Sequence, residues 1–234
     1  MPQDLFHDFF PPDVLTFIST RSIDFSRNDQ NKELSKKQNE YFRRRLGLSF
    51  SSAVNVRQVH GSRVIHAVGR EKEAEADAIV TQQANLPLVV RTADCLPIFL
   101  FDEKHRAIGI VHAGWRGTRE KIICQTLSKM YDIWKTEPEK IKAALGPAIC
   151  KDHYEVGKEF LDFFPDDVEK CNAKCYLDLK AVNKKQLKMI GVKELNIFDC
   201  GICTYCDKNY FSYRREGKEA GRMISLIMLK GKEK

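Results

Sequence analysis

The sequence predicts a mixed α/β (α+β) protein, in which one domain spanning residues 1–234 has a mixed central sheet flanked by helices. Three observations support this fold class. Six β-rich runs follow one another between residues 54 and 111, and apolar residues at helical spacing occur both before and after them. No linker, repeat or low-complexity segment divides the 234 residues, and a chain of this length often forms a single core.

The predicted elements begin with a strand from Val14 to Ile18. An amphipathic helix follows, from Asn31 to Leu46, with apolar side chains on one side and Lys, Gln and Arg elsewhere. The β-rich runs come next and are separated by glycine, asparagine and aspartate, which favour turns. They are Val54 to Val59, Arg63 to Val68, Ala78 to Thr81, Leu86 to Arg91, Ile98 to Phe101 and Ala107 to Val111.

Beyond residue 117 the apolar spacing becomes helical and predicts a helix from Arg119 to Trp134, with Thr118 as its N-cap. Five further elements complete the chain, and glycine or proline directly follows each of the first three. They are a strand from Ile141 to Leu145, helices from Val156 to Phe164 and from Leu179 to Ile190, and strands from Leu195 to Phe198 and from Met223 to Leu229.

The charge and the apolar runs of the sequence indicate what kind of partner the protein binds. The net charge of +7 comes from 39 basic and 32 acidic residues that are interspersed along the chain, which is typical of solvated faces and does not indicate nucleic-acid binding. The N-terminal residues lack the pattern of a signal peptide, and no apolar run has the length of a membrane span. We therefore expect a cytoplasmic monomer or homodimer that binds small molecules, with its eight cysteines reduced.

The residues with the clearest chemistry are His60, Cys95 and His112. Each follows a β-rich run and has a glycine or proline nearby. A nitrogen and sulfur set of three ligands would leave a fourth zinc position open, as a catalytic metal requires. A lone histidine at a strand end is more often a packing residue and a lone cysteine more often a core residue, so the sequence alone does not establish that the three converge.

Four neighbouring residues add candidate roles. Asp94 could orient an imidazole or act as a general base, although it could equally be a turn residue. Arg116 lies between two glycines near a predicted helix N-terminus and could bind phosphate, or could simply be an exposed arginine. Strand alternation places Gln58 on the same face as His60, and Arg57 adds a charge beside it.

A weaker metal prediction involves His153, which begins an H-x-E motif, and the C-x-x-C motif of Cys203 and Cys206. Together they resemble the signature of zinc nucleobase deaminases. The match is poor, because no proline precedes Cys203 and the two motifs are far apart in the sequence. Spacings of two residues also arise easily by chance.

Several segments together resemble the YfiH family, whose members are named polyphenol oxidoreductase or laccase domain protein, purine nucleoside phosphorylase and peptidoglycan editing factor. The resemblance covers residues 50–234. The segments are RQVHG (57–61), ADAIVT (76–81), TADCLPIFLFD (92–102), AIGIVHAGWRGT (107–118), ALGPAI (144–149), YEVG (154–157), CTYCD (203–207), FSYRREG (211–217) and GRMISLI (221–227).

The resemblance implies one zinc ion bound by His60, Cys95 and His112. It also implies phosphorolysis of adenosine, inosine and S-methyl-5'-thioadenosine, together with deamination of adenosine. We assign proton transfer to Asp94 and phosphate binding to Arg57 and Arg116 as hypotheses. Two departures from the family pattern concern residues 19–33, which are polar and lack glycine, and His153, where many members have cysteine.

Three rival functions remain open. The family names also imply an amidase acting on peptidoglycan precursors and a copper-dependent polyphenol oxidase. Six histidines are too few for a full multicopper set, so copper in the three-ligand site would be adventitious. A non-enzymatic interaction module would make the metal structural and use Arg214, Arg215 and the lysine-rich tail for docking. Three ligands instead of four argue against that reading.

Overall fold

The computed structural model describes residues 5–26, 32–69 and 74–231 and confirms the mixed α/β fold class. Two large sheets take the place of one central sheet, and a small third sheet accompanies them. The strands are Val14–Ile18 (β1), Val54–Asn55 (β2), Val64–His66 (β3), Ala78–Thr81 (β4), Leu88–Thr92 (β5), Leu96–Asp102 (β6), Ala107–Ala113 (β7), Ile141–Leu145 (β8), Glu155–Val156 (β9), Val168–Cys171 (β10), Lys174–Leu177 (β11), Ile197–Asp199 (β12) and Met223–Leu229 (β13). The helices are Lys32–Leu46 (α1), Trp115–Arg119 (α2), Ile122–Trp134 (α3), Phe160–Phe163 (α4), Leu179–Ile190 (α5) and Tyr213–Glu216 (α6).

The largest sheet has six strands in the order β12-β8-β6-β7-β4-β3. Its central strands β6 and β7 are antiparallel and buried along their whole length, which explains their nearly continuous apolar sequences. Their register pairs Leu96 with Ala113 and Pro97 with His112. The residues just before β6 and those at the end of β7 therefore lie side by side, at the same end of these two strands.

The second sheet has four strands in the order β1-β13-β5-β2. A cluster of buried apolar side chains from β5 and β13 and from β6 and β7 fills the space between the two large sheets. Helices α3 and α5 cover the outer face of the six-stranded sheet, and α1 covers that of the four-stranded sheet. The layers are thus helix, sheet, sheet and helices, with the polar face of α1 towards solvent.

The predicted helix from Arg119 to Trp134 begins three residues later, at Ile122, and corresponds to α3. The prediction of Thr118 as its N-cap is wrong, because Thr118 belongs to the preceding short helix α2. Lys121 has a left-handed backbone (φ 58°) between α2 and α3 and separates them. Thr118 is buried inside α2, where its hydroxyl accepts a hydrogen bond from Asn183 (3.0 Å). At the start of α1, the predicted first residue Asn31 lies outside the described residues.

The predicted helix from Val156 to Phe164 is also wrong over most of its length. Glu155 and Val156 form β9, which pairs with β11, and only Phe160–Phe163 is helical. The third sheet has the order β10-β11-β9, and its hairpin turn is Asn172-Ala173. Both turn residues have positive φ (47° and 64°), as the tight turns of β-hairpins require.

Within the described ranges, no helix combines the length and apolar character needed to cross a bilayer.

Candidate metal centre

The structure brings His60, Cys95 and His112 together, with one donor atom from each within 4.8 Å of the others. His112 is near the end of β7, and Cys95 directly precedes β6. The β6–β7 register therefore places the two residues at the same end of the strand pair. His60 lies in the loop after β2 and comes close to this end of the strand pair. Its ring and that of His112 are nearly perpendicular, with centroids 4.8 Å apart.

Asp77 fixes two of these three residues. Its Oδ1 lies 2.7 Å from Nδ1 of His112, and both side chains are buried, which leaves Nε2 of His112 free to act as a ligand. The same carboxylate accepts hydrogen bonds from the backbone N–H groups of Val59 (3.2 Å), His60 (3.0 Å) and Gly61 (2.8 Å). One carboxylate thus orients an imidazole and holds the loop that carries another.

The sequence did not single out Asp77, although it lies in the ADAIVT segment. Burial raises its pKa, but the hydrogen bond and charge of His112 and the amides of Gly61 and Val59 outweigh burial, so the pKa is lowered overall. Asp77 is therefore ionised at neutral pH and can stabilise positive charge on its partner imidazole. A carboxylate of this kind behind a histidine is a common accompaniment of a metal ligand.

The backbone around the three donors is tightly packed and strained. His60 (φ 59°) and Asp94 (φ 82°) both have left-handed backbones, which non-glycine residues adopt only where their surroundings impose it. A Cβ atom on Gly114 would lie 3.1 Å from Sγ of Cys95 and 3.3 Å from the ring of His60. A Cβ on Gly117 would lie 2.7 Å from the carbonyl oxygen of Gly61. These glycines allow α2 to pack against the donors.

Cys95 and His112 form an ion pair when no metal is bound. Burial raises the pKa of the Cys95 thiol, but the charge and hydrogen bond of His112, with those of His60, outweigh burial and lower the pKa to about 6. Burial lowers the pKa of His112, but the charge of Cys95 and the hydrogen bond of Asp77 outweigh burial and raise it to about 9. The thiol is thus already ionised at neutral pH, as metal binding requires.

This pairing predicts the pH dependence of alkylation in metal-stripped protein. The thiolate is the nucleophile, so the rate of Cys95 carboxamidomethylation by iodoacetamide should fall as the pH drops through about 6. It should change little between pH 7 and pH 8, where an ordinary thiol with a pKa of about 8.5 would still be gaining reactivity. Peptide mass spectrometry gives the rate for Cys95 alone. Asp77→Asn should move the midpoint upwards, and a wild-type midpoint near 8.5 would contradict the ion pair.

The three donors open into a pocket of about 450 Å³, a size suited to a small organic ligand. Its walls carry three aromatic side chains and four arginines. They are Trp115, Tyr154, Tyr213, Arg91, Arg116, Arg214 and Arg222. Burial and the negative charge of Cys95 raise the pKa of Tyr154, so its phenol stays protonated and can donate a hydrogen bond.

The four arginines differ in how many donors remain for a ligand. Arg91 donates to the Phe25 carbonyl (2.7 Å), Arg214 to the Glu155 carbonyl (2.8 Å), and Arg222 to two carbonyls of its own loop. Arg116 is exposed and stacks on the ring of Trp115 at 4.4 Å. Within the described part of the chain its guanidinium has no hydrogen bond or ion pair, which leaves its donors available to an anion.

Asp94 also lines the pocket, but its oxygens are already occupied. Oδ1 accepts from the Thr204 hydroxyl (2.6 Å), and Oδ2 accepts from the Ser212 hydroxyl (3.1 Å) and the Arg214 backbone N–H (2.6 Å). These contacts favour a role in positioning the loop of Cys95. The catalytic role assigned to it from the sequence stays a prediction.

Arg57 and Gln58 do not line this pocket. Arg57 forms an ion pair with Glu75, and the Gln58 amide exchanges two hydrogen bonds of 2.7 Å with the backbone of Arg91. Both line an adjoining depression that shares His60, Arg91 and Arg222 with the pocket. Gln58 thus fastens the loop of His60 to β5 by hydrogen bonds. The charge of Arg57 is already paired with that of Glu75.

A second group of potential ligands is formed by His153, Cys203 and Cys206, which the sequence had given only as a weaker prediction, together with Cys150. Their donor atoms also lie within 4.8 Å of one another. Cys150 was not identified from the sequence, although its two-residue separation from His153 repeats that of Cys203 and Cys206. Within the described residues these two groups are the ones that could hold a metal ion.

Residues 18–230 match the family model described as multi-copper polyphenol oxidoreductase laccase. The chain belongs to this family. It is similar in structure to the protein YfiH of Bacillus licheniformis, with a TM-score of 0.84 and 25% identity over 94% of both chains. The family model and the structural comparison therefore both confirm the resemblance to the YfiH family that the sequence motifs indicated.

Two relatives that are similar to this chain in sequence have names that refer to purine nucleosides. A protein of Deinococcus radiodurans named purine nucleoside phosphorylase is 35% identical over 193 residues, covering 80% of this chain and 74% of its own length. A protein from an unknown prokaryotic organism, named adenosine deaminase RL5, is 35% identical over 205 residues, covering 79% of this chain and 78% of its own length.

Proposed function

We propose that this chain is a zinc-dependent purine nucleoside enzyme. It would convert adenosine, inosine and S-methyl-5'-thioadenosine with phosphate into free base and ribose 1-phosphate or its methylthio derivative, and would also deaminate adenosine. The observation that carries the proposal is the convergence of His60, Cys95 and His112 beside a pocket that also holds an available arginine. The names of the two relatives supply the substrate class.

The donor set suits zinc. Two imidazoles and one thiolate make a mixed nitrogen and sulfur set, and three protein ligands leave one tetrahedral position for a ligand from solution. When bound, a zinc ion would supply a Lewis acid that activates water for attack on the purine ring. Asp77 would keep His112 oriented, and Gly114 would keep the space between Cys95 and His60 clear.

The pocket walls suit a nucleoside and phosphate. Aromatic rings such as Trp115 and Tyr213 offer flat apolar surfaces for a purine base. The protonated phenol of Tyr154 can donate a hydrogen bond to a substrate oxygen or nitrogen. Arg116 can hold phosphate through charge-assisted hydrogen bonds and so orient it against the anomeric carbon. Deamination uses water instead and makes no demand on this guanidinium.

The family description names a multicopper oxidase, which the donor residues do not favour. A multicopper enzyme needs a trinuclear cluster held mainly by histidines, and the chain has six histidines in all. In the described part of the chain the two candidate ligand groups include only three of them. Copper could occupy either group, since it generally binds such sites more tightly than zinc does. Weak oxidase activity would therefore say little about the native reaction.

The proposal is tested by incubating zinc-loaded protein with adenosine, with and without phosphate, and separating the products by chromatography. We expect adenine and ribose 1-phosphate only when phosphate is present. Inosine should form in both cases and be converted partly to hypoxanthine when phosphate is present. Cys124→Ser, which changes a thiol on α3, serves as the control and should retain both activities. Absence of turnover, or turnover that survives Cys95→Ala, would refute the nucleoside function.

A further inference from the structure

The second ligand group lies outside the pocket and has a different composition from the first. It contains three thiols and one imidazole, from Cys150, His153, Cys203 and Cys206, and none of the four residues lines the pocket. We propose that these residues bind a second zinc ion with four protein ligands, and that this ion is structural. This proposal is independent of the reaction catalysed at the first site.

The distances suit a single tetrahedral ion. Nδ1 of His153 lies 3.2 Å from Sγ of Cys150 and 3.4 Å from Sγ of Cys206, and all four donor atoms are within 4.8 Å of one another. Zinc bonds of about 2.3 Å to sulfur and about 2.0 Å to nitrogen place tetrahedral ligands roughly 3.5–3.8 Å apart. Shifts of a few tenths of an ångström to about 1 Å would therefore close the four donors around one ion.

Local structure holds the donors in place. Cys150 precedes a 3-10 helix, Lys151–His153, that turns the imidazole back towards the thiol. The ring of His153 stacks on Tyr205 with centroids 4.3 Å apart, which fixes its orientation. The backbone N–H of Cys150 donates to Sγ of Cys203 (3.3 Å), a contact that stabilises negative charge on the sulfur.

The donor chemistry selects the type of site. Three thiols and an imidazole form a Cys₃His set, which is typical of structural zinc, and the two-residue spacing within each pair is that of zinc-binding turns. Zinc binding would release the thiol protons to solvent as zinc–sulfur bonds form. With four protein ligands no position remains for water or substrate, so we assign no reaction to this ion.

Its place in the fold indicates what the ion would stabilise. It would join the segment after β8 to the segment after β12, where a short parallel bridge already pairs Ala148 with Cys203. Thr204, between the ligands, donates to Asp94, and Tyr154, next to His153, lines the pocket. The second ion would thus fix one wall of the pocket from behind.

The test counts zinc in the full chain expressed with zinc and purified without chelator, using elemental mass spectrometry. We expect two zinc ions in the wild type, one in Cys95→Ala, and one in the double variant Cys203→Ser, Cys206→Ser. Cys124→Ser is the matched control and should keep two. The proposal is overturned if the double variant holds as much zinc as the wild type. Nucleoside turnover does not enter this count.

A second measurement covers the case in which the double variant does not fold. Cobalt added to metal-stripped Cys95→Ala should give the thiolate-to-cobalt charge transfer of a site with three thiolates, and His153→Cys should retain it. Cobalt uptake without that absorption would overturn the proposal. The proposal would also be overturned if peptide mapping of the freshly isolated protein found a disulfide between two of Cys150, Cys203 and Cys206.

Discussion

Replacing Cys95 by alanine should remove the metal from the first site and lower deamination of adenosine by about a thousandfold or more. A metal Lewis acid supplies several kcal/mol of transition-state stabilisation, and each 1.36 kcal/mol corresponds to a factor of ten in rate. Cys95 supplies the only sulfur donor of its group and the negative charge that faces His112. Zinc content and turnover, measured on the same preparation, should fall together.

A graded version of this experiment uses the carboxylate behind the ligand. Asp77→Asn removes the charge that holds His112 and should weaken zinc affinity by about 10-fold to 100-fold. The chain offers a matched control in Asp102, a fully buried carboxylate that lies 2.7 Å from Nδ1 of His105. Asp102 is the last residue of β6, at the opposite end of that strand from Cys95. Asp102→Asn should leave zinc affinity unchanged. Equal losses in both variants would mean that the Asp77 effect is one of folding and not of ligand orientation.

The sequence predicted those elements best whose local pattern agrees with their surroundings. β1, β4, β8 and β13 have the predicted bounds, because most of their residues are buried in the core. α5 also has its predicted bounds, because its side chains are apolar at helical spacing, Asp178 caps its start and Gly191 ends it. The run from Val54 to Val59 was too long by four residues. Asp77 accepts the backbone N–H of Val59 in place of a neighbouring strand, so the run leaves the sheet before its predicted end.

The sequence could indicate the candidate donor residues of the site, but not the residues that orient them. Histidine and cysteine are uncommon and chemically specific, so His60, Cys95 and His112 could be selected from residue type and position. Asp77 could not, because a carboxylate before a strand has many ordinary roles and only the β4–β7 pairing places it behind His112. Arg57 seemed as good a phosphate ligand as Arg116 until the fold showed its charge paired with Glu75.

Replacing Arg116 by glutamine should separate the two activities. Among the described residues its guanidinium makes no hydrogen bond, so all its donors are available to phosphate. Hydrogen bonds to charged groups contribute about 1.5–3 kcal/mol, so the KM for phosphate should rise about 10-fold to 100-fold. Deamination needs no phosphate and should change by less than about 3-fold. Initial rates of adenine and inosine formation over a series of phosphate concentrations give both quantities.

Arg119 is the matched control for this experiment. It lies on the same short helix and is also exposed, but it stacks on Phe163 at 4.3 Å and lines a different depression. Arg119→Gln removes the same charge from α2 without touching the pocket, so the KM for phosphate should stay unchanged. If both variants raise it equally, phosphate is attracted by the general charge of α2. If neither does, phosphate binds without Arg116, and the other three arginines of the pocket wall, Arg91, Arg214 and Arg222, must be tested in turn.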